Sequence, residues 1–470
     1  MTYFFDDFSR FGNRTALIDD RGQEVTYECL DRWADAFKEK VEARQMAVCL
    51  CENSVGSPMG YAGFLRSRTV PLLLDRKIEE GLLTNLLSLY RPIYLYYPAD
   101  MAGRFEDYEP FFEDYGYVLA RALRPEPIEL YPELGLLLTT SGSTGSPKLV
   151  RQSYRNIQAN TESIIEYLKI DESERPITTL PMNYTYGLSI VQSHLAAGAT
   201  ILMTSHSMQM KAFWDFFKNN EATSFGGVPF TYEMLKKVRF FRMKLPSLRY
   251  MTQAGGKLSP ELHREFAEWA QSQGKKFIVM YGQTEATARM GYLPAEYSIE
   301  KFGSMGFAIP GGRFELIGAD DQVITRPDTT GELVYYGDNV TLGYAQKRED
   351  LALGDERGGC LHTGDVAKFD QDGFYYIVGR IKRFLKIFGN RVNLDEADRL
   401  IRSHFENVDC ASTGVDDKMI TYITDETRID DVRRFLAATT HLSETAFEVR
   451  YIDEIPKNEA GKVQYTKLEK

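Results

Sequence analysis

The chain has 470 residues, of which 67 are acidic and 56 are basic, so its formal net charge at pH 7 is −11. This length predicts more than one domain, and an apolar content of 43% is enough to form sizeable cores. The acidic balance disfavours nucleic acid or an anionic membrane surface as the main partner.

The cysteines and the N-terminus bear on the compartment. There are five cysteines, an odd number, scattered along the chain, which predicts a reducing compartment without a disulfide framework. The first residues lack a basic segment followed by a long apolar core, so we expect no signal peptide. No run of about 18 apolar residues occurs, which predicts no membrane span. We therefore expect a cytoplasmic protein.

The first 100 residues alternate between strand and helix patterns. The predicted strands are 15–19, 47–50, 70–74 and 92–95, and the predicted helices are 27–43, 57–65 and 78–89. This alternation is typical of an α/β fold with a largely parallel sheet. Such sheets place ligand sites at the carboxyl ends of their strands.

The alternation resumes in the middle of the chain and then changes. The further predicted helices are 154–168, 188–196, 211–219 and 260–273, and the strands are 177–180, 200–203, 224–228, 246–256 and 276–280. Short strands, glycine turns and aromatic residues between Gly303 and Gly379 predict an antiparallel β subdomain. We expect an α/β protein with a large N-terminal domain of parallel or mixed sheets (residues 1–380) and a small C-terminal α+β domain (residues 381–470).

A loop rich in serine, threonine and glycine follows the predicted strand 134–138. Its sequence from Thr139 is Thr-Thr-Ser-Gly-Ser-Thr-Gly-Ser-Pro-Lys, ending at Lys148. Backbone N–H groups and hydroxyls in such a loop form a concave nest that suits phosphate, and glycine permits the conformations it needs. A flexible loop without a ligand is the equally open alternative. The loop does not match the P-loop pattern GxxxxGK[ST].

Three later segments also carry suitable chemistry, although each has a plain structural alternative. Tyr281–Glu285 follows a predicted strand directly and offers a ring for stacking, a hydroxyl for phosphate and a carboxylate for Mg²⁺. Thr363–Asp365 places a carboxylate after a glycine, which suits ribose hydroxyls or an ordinary turn. Gly461-Lys462 presents a lysine near the C-terminus, and by itself it reads as surface.

Taken together and in this order, the segments resemble the adenylate-forming superfamily, which comprises acyl-CoA synthetases, the adenylation domains of peptide synthetases, and luciferases. The resemblance covers nearly the whole chain. It rests on Thr140–Lys148, Tyr281–Glu285, Thr363–Asp365, Gly379–Lys386, Gly389–Glu396 and Gly461-Lys462.

The resemblance implies a two-step reaction. A carboxylate attacks the α-phosphate of ATP to give an acyl-adenylate and pyrophosphate, and the thiol of coenzyme A or of a carrier protein's phosphopantetheine then takes the acyl group. It also implies a mobile C-terminal domain. The first step needs preorganised cations and N–H donors, since an anion must attack a polyanion.

The resemblance assigns a role to each matching residue. The nucleotide would be bound by Thr140, Ser141, Gly142, Ser143, Thr144, Gly145 and Lys148 at the β- and γ-phosphates, by Gly255, Gly256, Lys257, Tyr281 and Gly282 around the adenine, and by Asp365 and Arg380 at the ribose. Thr284 would contact the α-phosphate, and Glu285 would hold Mg²⁺. Lys462 would bridge the attacking carboxylate and the α-phosphate, and Lys382 would be the hinge of the C-terminal domain.

The acid itself is expected in a pocket formed by residues 182–188, 225–230, 253–256 and 289–291. The segment that begins at Pro181 contains no carboxylate, so an α-amino acid is disfavoured because its ammonium would be buried without a countercharge. Gly226 and Gly227 are expected to leave room in the pocket. Arg289 could pair with a second acid group, but a surface position is the favoured interpretation because arginine is rarely buried.

The leading hypothesis is therefore an ATP-dependent carboxylate–thiol ligase whose acceptor is coenzyme A or a carrier protein supplied in trans. The segment from Gly389 to Leu394 resembles the carrier-loading relatives more closely. A non-catalytic nucleotide-binding scaffold is the alternative, although the chain keeps Glu285, Asp365, Arg380 and Lys462 together. A phosphotransferase is disfavoured by the missing P-loop pattern.

Overall fold

The computed structural model describes residues 2–139, 148–388, 390–440, 442–457, 461 and 463–468. The chain forms two compact units, of which the first contains residues 1–313 and 335–361 and the second contains 314–334 and 362–470. The predicted domain boundary after Arg380 falls inside the second unit, and it stays a prediction.

An eight-stranded mixed sheet forms the core of the first unit. The order of its strands is Gly343–Ala345, Leu149–Ser153, Leu134–Thr139, Val70–Asp75, Met46–Cys51, Tyr94–Pro98, Tyr117–Ala122 and Tyr108–Asp114. The four central strands are parallel, as the alternation predicts. The hairpin at residues 108–122 was not predicted, because its first strand is mostly solvent-facing and carries a proline, which weakens the alternating pattern.

The helices of this region follow their apolar spacing. The helix Tyr27–Lys38 begins where the Thr26 hydroxyl accepts the N–H of Cys29, and it buries Leu30, Trp33, Ala34 and Phe37 on one face. The predicted extension to residue 43 is wrong, since the Lys40 N–H closes a tighter turn onto the Phe37 carbonyl. The other helices beside this sheet are Gly56–Ser67 and Glu80–Tyr90.

A five-stranded sheet in the same unit positions the candidate site. Its strand order is Ser224–Gly227, Tyr250–Gln253, Lys276–Tyr281, Gly291–Leu293 and Phe307–Ala308. The first three strands are parallel and in register, so their carboxyl ends lie side by side. Helices Pro229–Lys237 and Pro260–Ser272 follow the first two of these strands.

The rest of the first unit contains a three-stranded sheet and three helices. The strands are Ile201–Met203, Thr15–Asp19 and Glu24–Thr26, and the helices are Tyr154–Leu168, Thr185–Ala196 and Lys211–Asn219. The predicted strand 177–180 is wrong, since only isolated bridges form at Pro176 and Ile177. The Thr178 hydroxyl there accepts the N–H of Thr204, so a side chain takes the place of a backbone acceptor.

The second unit contains β-structure followed by an α+β region. A four-stranded sheet lies largely within it, with strands Arg313–Ile317, Gly331–Tyr336, Cys360–Phe369 and Tyr375–Arg380. After it come the hairpin Phe384–Ile387 and Asn390–Asn393, the sheet strands Cys410–Val415, Lys418–Ile423 and Phe447–Tyr451, and the helices Leu394–His404 and Ile429–Thr440. The predicted α/β class, with a β subdomain and a C-terminal α+β region, is confirmed. Within the described ranges, no helix combines the length and apolarity that crossing a membrane requires.

The packing of helix Gly56–Ser67 on the large sheet generates a prediction about stability. A Cβ placed on Gly60 would lie 2.1 Å from Cε1 of Tyr96, whose buried hydroxyl donates to the Gly56 carbonyl. Gly60→Ala is therefore expected to lower the free energy of unfolding by about 1–3 kcal/mol, the usual cost of overpacking. Urea unfolding measures the change.

Gly81→Ala is the matched control, since the nearest atom to its added Cβ is the flexible Glu79 carboxylate at 3.7 Å. This variant is expected to gain about 0.5–1 kcal/mol, because alanine is the better helix former. Equal effects of the two substitutions would contradict the packing account.

Candidate functional site

The predicted phosphate loop lies between two paired strands. Thr140, Ser141, Gly142, Ser143, Thr144 and Gly145 lie outside the described residues. The strands on either side are antiparallel, and Thr139 pairs with Leu149, so both ends of the loop are held side by side. Lys148 is exposed at the second end, with its Nζ 5.4 Å from the ring centre of Tyr344. The stem of the loop is thus fixed to the large sheet.

The turn after strand Lys276–Tyr281 depends on a close backbone approach. A Cβ on Gly282 would lie 1.8 Å from the Ala288 carbonyl oxygen, so only glycine fits there. The Met290 N–H donates to the Tyr281 carbonyl, and Tyr281 pairs with Gly291 of the returning strand. These contacts close residues 282–290 into one turn at the carboxyl end of the strand.

Thr287 fixes the far side of the same turn. Its φ is 64°, a region that a β-branched residue rarely adopts without support. The support comes from neighbouring elements: the Thr287 hydroxyl donates to the Asn339 carbonyl at 2.7 Å, and the Thr287 carbonyl accepts from the Thr185 hydroxyl. The conformation of the turn is therefore determined by packing as well as by its own sequence.

Glu285 is held in this turn by residues from distant parts of the chain. Its Oε1 accepts the hydroxyl of Tyr344 at 2.7 Å, and its carbonyl accepts the Thr341 N–H at 3.0 Å and Arg357 Nη1 at 3.1 Å. Burial, followed by the charge of the Glu285 carboxylate, raises the pKa of Tyr344 to about 12, so its hydroxyl stays protonated at neutral pH. Oε2 of Glu285 has no partner among the described residues, which suits a carboxylate that ligates Mg²⁺.

Tyr344 connects the stem of the Ser/Gly loop to the turn that carries Glu285. Its strand pairs with the one that follows the Ser/Gly loop, with Tyr344 opposite Val150. Lys148 lies over its ring, Arg357 stacks at 4.7 Å from the ring centre, and its hydroxyl binds Glu285. The sequence reasoning missed Tyr344 and Arg357, since the only local signal is a glycine–tyrosine pair on a three-residue strand.

The predicted adenine segment lies at the end of the neighbouring strand. Gly255 has a φ of 81°, and a Cβ there would lie 2.5 Å from the Tyr184 hydroxyl. The Gly256 carbonyl accepts Nε2 of Gln253 at 2.8 Å, and Lys257 is exposed. Because Gln253 pairs with Val279 in parallel register, this segment and Tyr281 leave the sheet at adjacent strand ends.

The predicted ribose pair lies in the second unit. Asp365 and Arg380 face each other on paired strands, and Arg380 Nε lies 2.8 Å from Asp365 Oδ1. The Asp365 side chain is only 3% exposed, whereas the Arg380 side chain is 61% exposed. The two residues are therefore brought together, and their ribose role stays a prediction.

The predicted hinge and catalytic lysines are described only through their neighbours. Lys462 and the side chain of Lys382 lie outside what the structure describes. The next residue, Arg383, bonds Asp395 at 2.8 Å and Asp398 at 3.1 Å, and its guanidinium lies 4.1 Å from the ring centre of Tyr465. Arg383 thus connects the predicted hinge to the helix Leu394–His404 and to the segment after Lys462.

Three of the four segments predicted to line the acid pocket meet at Tyr186, and Thr252, the residue before the remaining segment, contacts it too. Its hydroxyl lies 2.7 Å from Thr252 Oγ1, and its ring lies 6.4 Å from that of Tyr184. A Cβ on Gly226 would lie 2.8 Å from the same hydroxyl, so this tyrosine fills the room that the glycine was expected to leave. Gly227 is filled in the same way by Thr231 and Tyr232. The space beside these glycines is therefore small.

Arg289 is buried, which corrects the expectation of a surface position. Only 2% of the residue is exposed. Nε donates to Ser189 at 3.1 Å, Nη1 donates to the Tyr167 hydroxyl at 3.0 Å, and the guanidinium lies 5.2 Å from the ring centre of Tyr186. The sequence could not show this, because the enclosing residues come from two helices more than 90 positions away.

Comparison with known proteins identifies the family of the chain. A family model described as AMP-binding enzyme matches residues 106–345, just over half of the chain. The chain is 29% identical over 353 residues to an oxalate–CoA ligase of Arabidopsis thaliana, covering 71% of this chain and 67% of that protein. It is also 29% identical over 344 residues to a sulfoacetate–CoA ligase of Cupriavidus necator, covering 71% and 66%. The chain thus spans about two thirds of the length of these curated relatives.

A solved structure is similar over the whole chain. It is an O-succinylbenzoate coenzyme A synthetase from Bacillus subtilis in complex with AMP, with a TM-score of 0.81, 20% identity, and coverage of 100% of this chain and 98% of that one. This likeness confirms the fold. Together with the named relatives, the family match confirms the predicted class of enzyme, an AMP-forming carboxylate–thiol ligase. The chain belongs to the family of AMP-binding enzymes, within the adenylate-forming superfamily.

Proposed function

We propose that this chain activates a small carboxylic acid with ATP as an acyl-adenylate and transfers the acyl group to the thiol of coenzyme A. The observation that supports this most directly is the meeting of Lys148, Glu285 and Arg357 at Tyr344, beside the ends of two parallel strands. Two cations and a carboxylate at one place suit a nucleotide triphosphate with its metal.

The first step is a problem of charge. The carboxylate of the acid must approach the α-phosphate of ATP, and both carry negative charge. Lys148 and the loop 140–145 would hold the β- and γ-phosphates, and Thr284 would donate to the α-phosphate. Bound Mg²⁺ neutralises phosphate charge, and Glu285 would be its protein ligand. Preorganised groups of this kind stabilise the transition state because they need not reorient during the reaction.

The remaining nucleotide and catalytic residues complete the proposal. Gly255, Gly256, Lys257, Tyr281 and Gly282 would enclose the adenine, and Asp365 and Arg380 would hold the ribose. Lys462 would donate to both the attacking carboxylate and the α-phosphate oxygen. Its role would then lie mainly in the first step, because in the second step the thiol attacks an acyl carbonyl that has lost its carboxylate charge.

The hinge proposal gains support from Arg383. Arg383 forms ion pairs with Asp395 and Asp398 and contacts Tyr465. The chain is therefore packed against the C-terminal elements from the first residue after Lys382. A rotation that alternates between the two steps would then be absorbed at Lys382, which precedes these contacts. The boundary of the moving domain would accordingly be residues 380–383.

The proposal also covers the thiol that accepts the acyl group and the compartment in which the reaction takes place. The curated relatives are named as CoA ligases, which favours coenzyme A. A carrier protein in trans is the second candidate, favoured by the resemblance at residues 389–394. We expect the reaction to take place in the cytoplasm.

Carboxylate-dependent exchange of pyrophosphate into ATP tests the activity. The panel contains short, branched, aromatic, hydroxy, amino and dicarboxylic acids, each assayed with and without Mg²⁺. At least one acid is expected to drive exchange, with AMP rather than ADP as the product when coenzyme A is added. ADP would indicate a phosphotransferase, and ATP binding without exchange for any acid would favour the scaffold alternative.

Tyr344→Phe tests the assignment of Glu285. It removes the hydroxyl that orients the carboxylate and keeps the ring beneath Lys148 and Arg357. The Mg²⁺ concentration for half-maximal exchange is expected to rise about 10-fold, the lower end for loss of a group that positions a metal ligand. Titration of the exchange rate with Mg²⁺ provides the measurement.

Tyr90→Phe serves as the control for Tyr344→Phe. Its buried hydroxyl donates to the carbonyl of Ala345, the residue after Tyr344, without contacting Glu285. It is expected to leave the Mg²⁺ dependence unchanged. A parallel shift in both variants would mean that Tyr344 acts only through the stability of its strand.

Lys462→Ala separates the two steps. Adenylation is expected to slow by about 10²–10³, the scale for losing one contact to developing charge, whereas transfer from supplied acyl-adenylate to coenzyme A should be little affected. Lys457→Ala is the matched control, because this nearby lysine already pairs with Asp409 at 2.6 Å. Equal losses in both steps for Lys462→Ala would refute the assigned role.

A further inference from the structure

Arg289 places a buried positive charge among the segments predicted to line the acid pocket. The atoms that accept hydrogen bonds from the Arg289 guanidinium are the Ser189 and Tyr167 hydroxyls and the Met280 sulfur. Within the described part of the chain, no carboxylate forms an ion pair with Arg289, and its Nη2 has no hydrogen-bond partner. Buried charges are normally paired, because leaving one alone costs several kcal/mol.

The titratable groups around Arg289 do not supply the missing charge. Burial raises the pKa of Tyr167, Tyr186 and Tyr250, so all three remain neutral phenols near pH 7. Burial, reinforced by the charge of Arg289 itself, lowers the pKa of His194 to about 3, so this imidazole is neutral too. The cluster therefore carries one net positive charge.

The other buried arginines with described partners differ in this respect. Arg66 is bonded to Asp31 at 2.6 Å and Asp35 at 2.5 Å, and Arg151 is bonded to the Glu356 carboxylate and to several backbone carbonyls. Each of these side chains has its countercharge within the fold. The environment of Arg289 is thus distinct within the molecule, and it occurs in the pocket expected to receive an acid.

We propose that Arg289 binds a second anionic group, a carboxylate or a sulfonate, on the acid that this chain activates. The inference rests on the proposed function. Arg289 follows Glu285 by four residues in one closed turn, and a Cβ on Gly282 would lie 2.9 Å from its Cα. The same turn therefore holds Glu285, which is assigned to the nucleotide, and Arg289. A small acid whose carboxylate reacts with the nucleotide can then place a second group at the Arg289 guanidinium.

The chemistry of the pocket favours a doubly charged acid over a singly charged one. A second anion neutralises Arg289 and can accept two parallel N–H donors of the guanidinium, which is the strong form of this interaction. A neutral group at the same place would leave the charge buried and unpaired. Sites built for a polar partner reject its apolar analogue strongly for this reason. The filled space beside Gly226 and Gly227 favours a short acid.

Pairs of acids that differ only in the second charge provide the test. The pairs are malonate and malonamate, succinate and succinamate, glutarate and glutaramate, and sulfoacetate and methylsulfonylacetate. In pyrophosphate exchange, the charged member of the best pair is expected to exceed its neutral partner in kcat/KM by at least about 100-fold. In Arg289→Met this ratio is expected to fall below about 5-fold, while exchange with the neutral partner persists.

Two further variants keep a folding defect apart from a loss of recognition. Arg66→Met removes a second buried arginine and leaves Asp31 and Asp35 without it, so it should lower the melting temperature and leave the ratio of each pair unchanged. Tyr167→Phe removes the hydroxyl that holds Nη1 of Arg289 and keeps the ring stacked on Tyr292, so it should lower the ratio several-fold. Arg289→Met itself is expected to melt no lower than Arg66→Met, since it orphans no carboxylate.

The possible results separate the inference from the function on which it rests. Wild-type protein that activates the neutral members as well as the charged ones overturns the role of Arg289 and leaves the ligase proposal standing. A charge preference that survives in both Arg289→Met and Tyr167→Phe overturns it as well. Absence of exchange with every acid, charged or neutral, overturns the ligase proposal itself.

Discussion

The close approach of Gly282 to the backbone at Ala288 is the constraint on which the candidate site depends. With no room for a Cβ, the chain folds back within nine residues at the end of a central strand. That turn carries Glu285 on one side and Arg289 on the other. Any wider turn would separate the carboxylate assigned to the nucleotide from the guanidinium assigned to the acid. The spacing between Glu285 and Arg289 is thus fixed by the backbone of the turn.

The turn would not hold this shape by itself. Thr287 adopts a φ that disfavours a β-branched residue, and its polar groups are taken by Asn339 and Thr185. Tyr344, on a strand of the other large sheet, and Arg357, in the segment that follows that strand, then fix Glu285. The turn and its supports therefore come together only when the eight-stranded and the five-stranded sheets are both in place. Such dependence on long-range packing is how folded proteins keep an unfavourable local conformation at a functional position.

How much the sequence could predict follows from this division between local and long-range causes. The helix Pro260–Ser272 and the strand Lys276–Tyr281 were predicted to within a residue, because capping and apolar period are local signals. The segments expected to line the pocket were named from the resemblance and not from a local signal. The burial of Arg289, the role of Tyr344 and the loss of the strand at residues 177–180 were out of reach, since each depends on partners supplied by distant elements. The roles of Asp365 and Arg380 at the ribose, of Lys382 as the hinge and of Lys462 in catalysis stay predictions.

The two proposed anion-binding places in the first unit differ in how far their cations are buried. At the proposed phosphate site, Lys148 is exposed, and Arg357 donates to the Glu285 carbonyl and the Thr341 hydroxyl and stacks on an aromatic ring, so both cations keep their charge without a large desolvation cost. That arrangement tolerates the departure of pyrophosphate, since water can replace it. Arg289, by contrast, is only 2% exposed, so water has little access to its guanidinium. An unpaired buried charge raises the free energy of the protein without bound acid. It also makes the binding of a matching anion more selective, because charges interact most strongly where the dielectric constant is low. The proposed selectivity for the acid and the proposed turnover of the nucleotide are therefore assigned to cations that differ in their degree of burial.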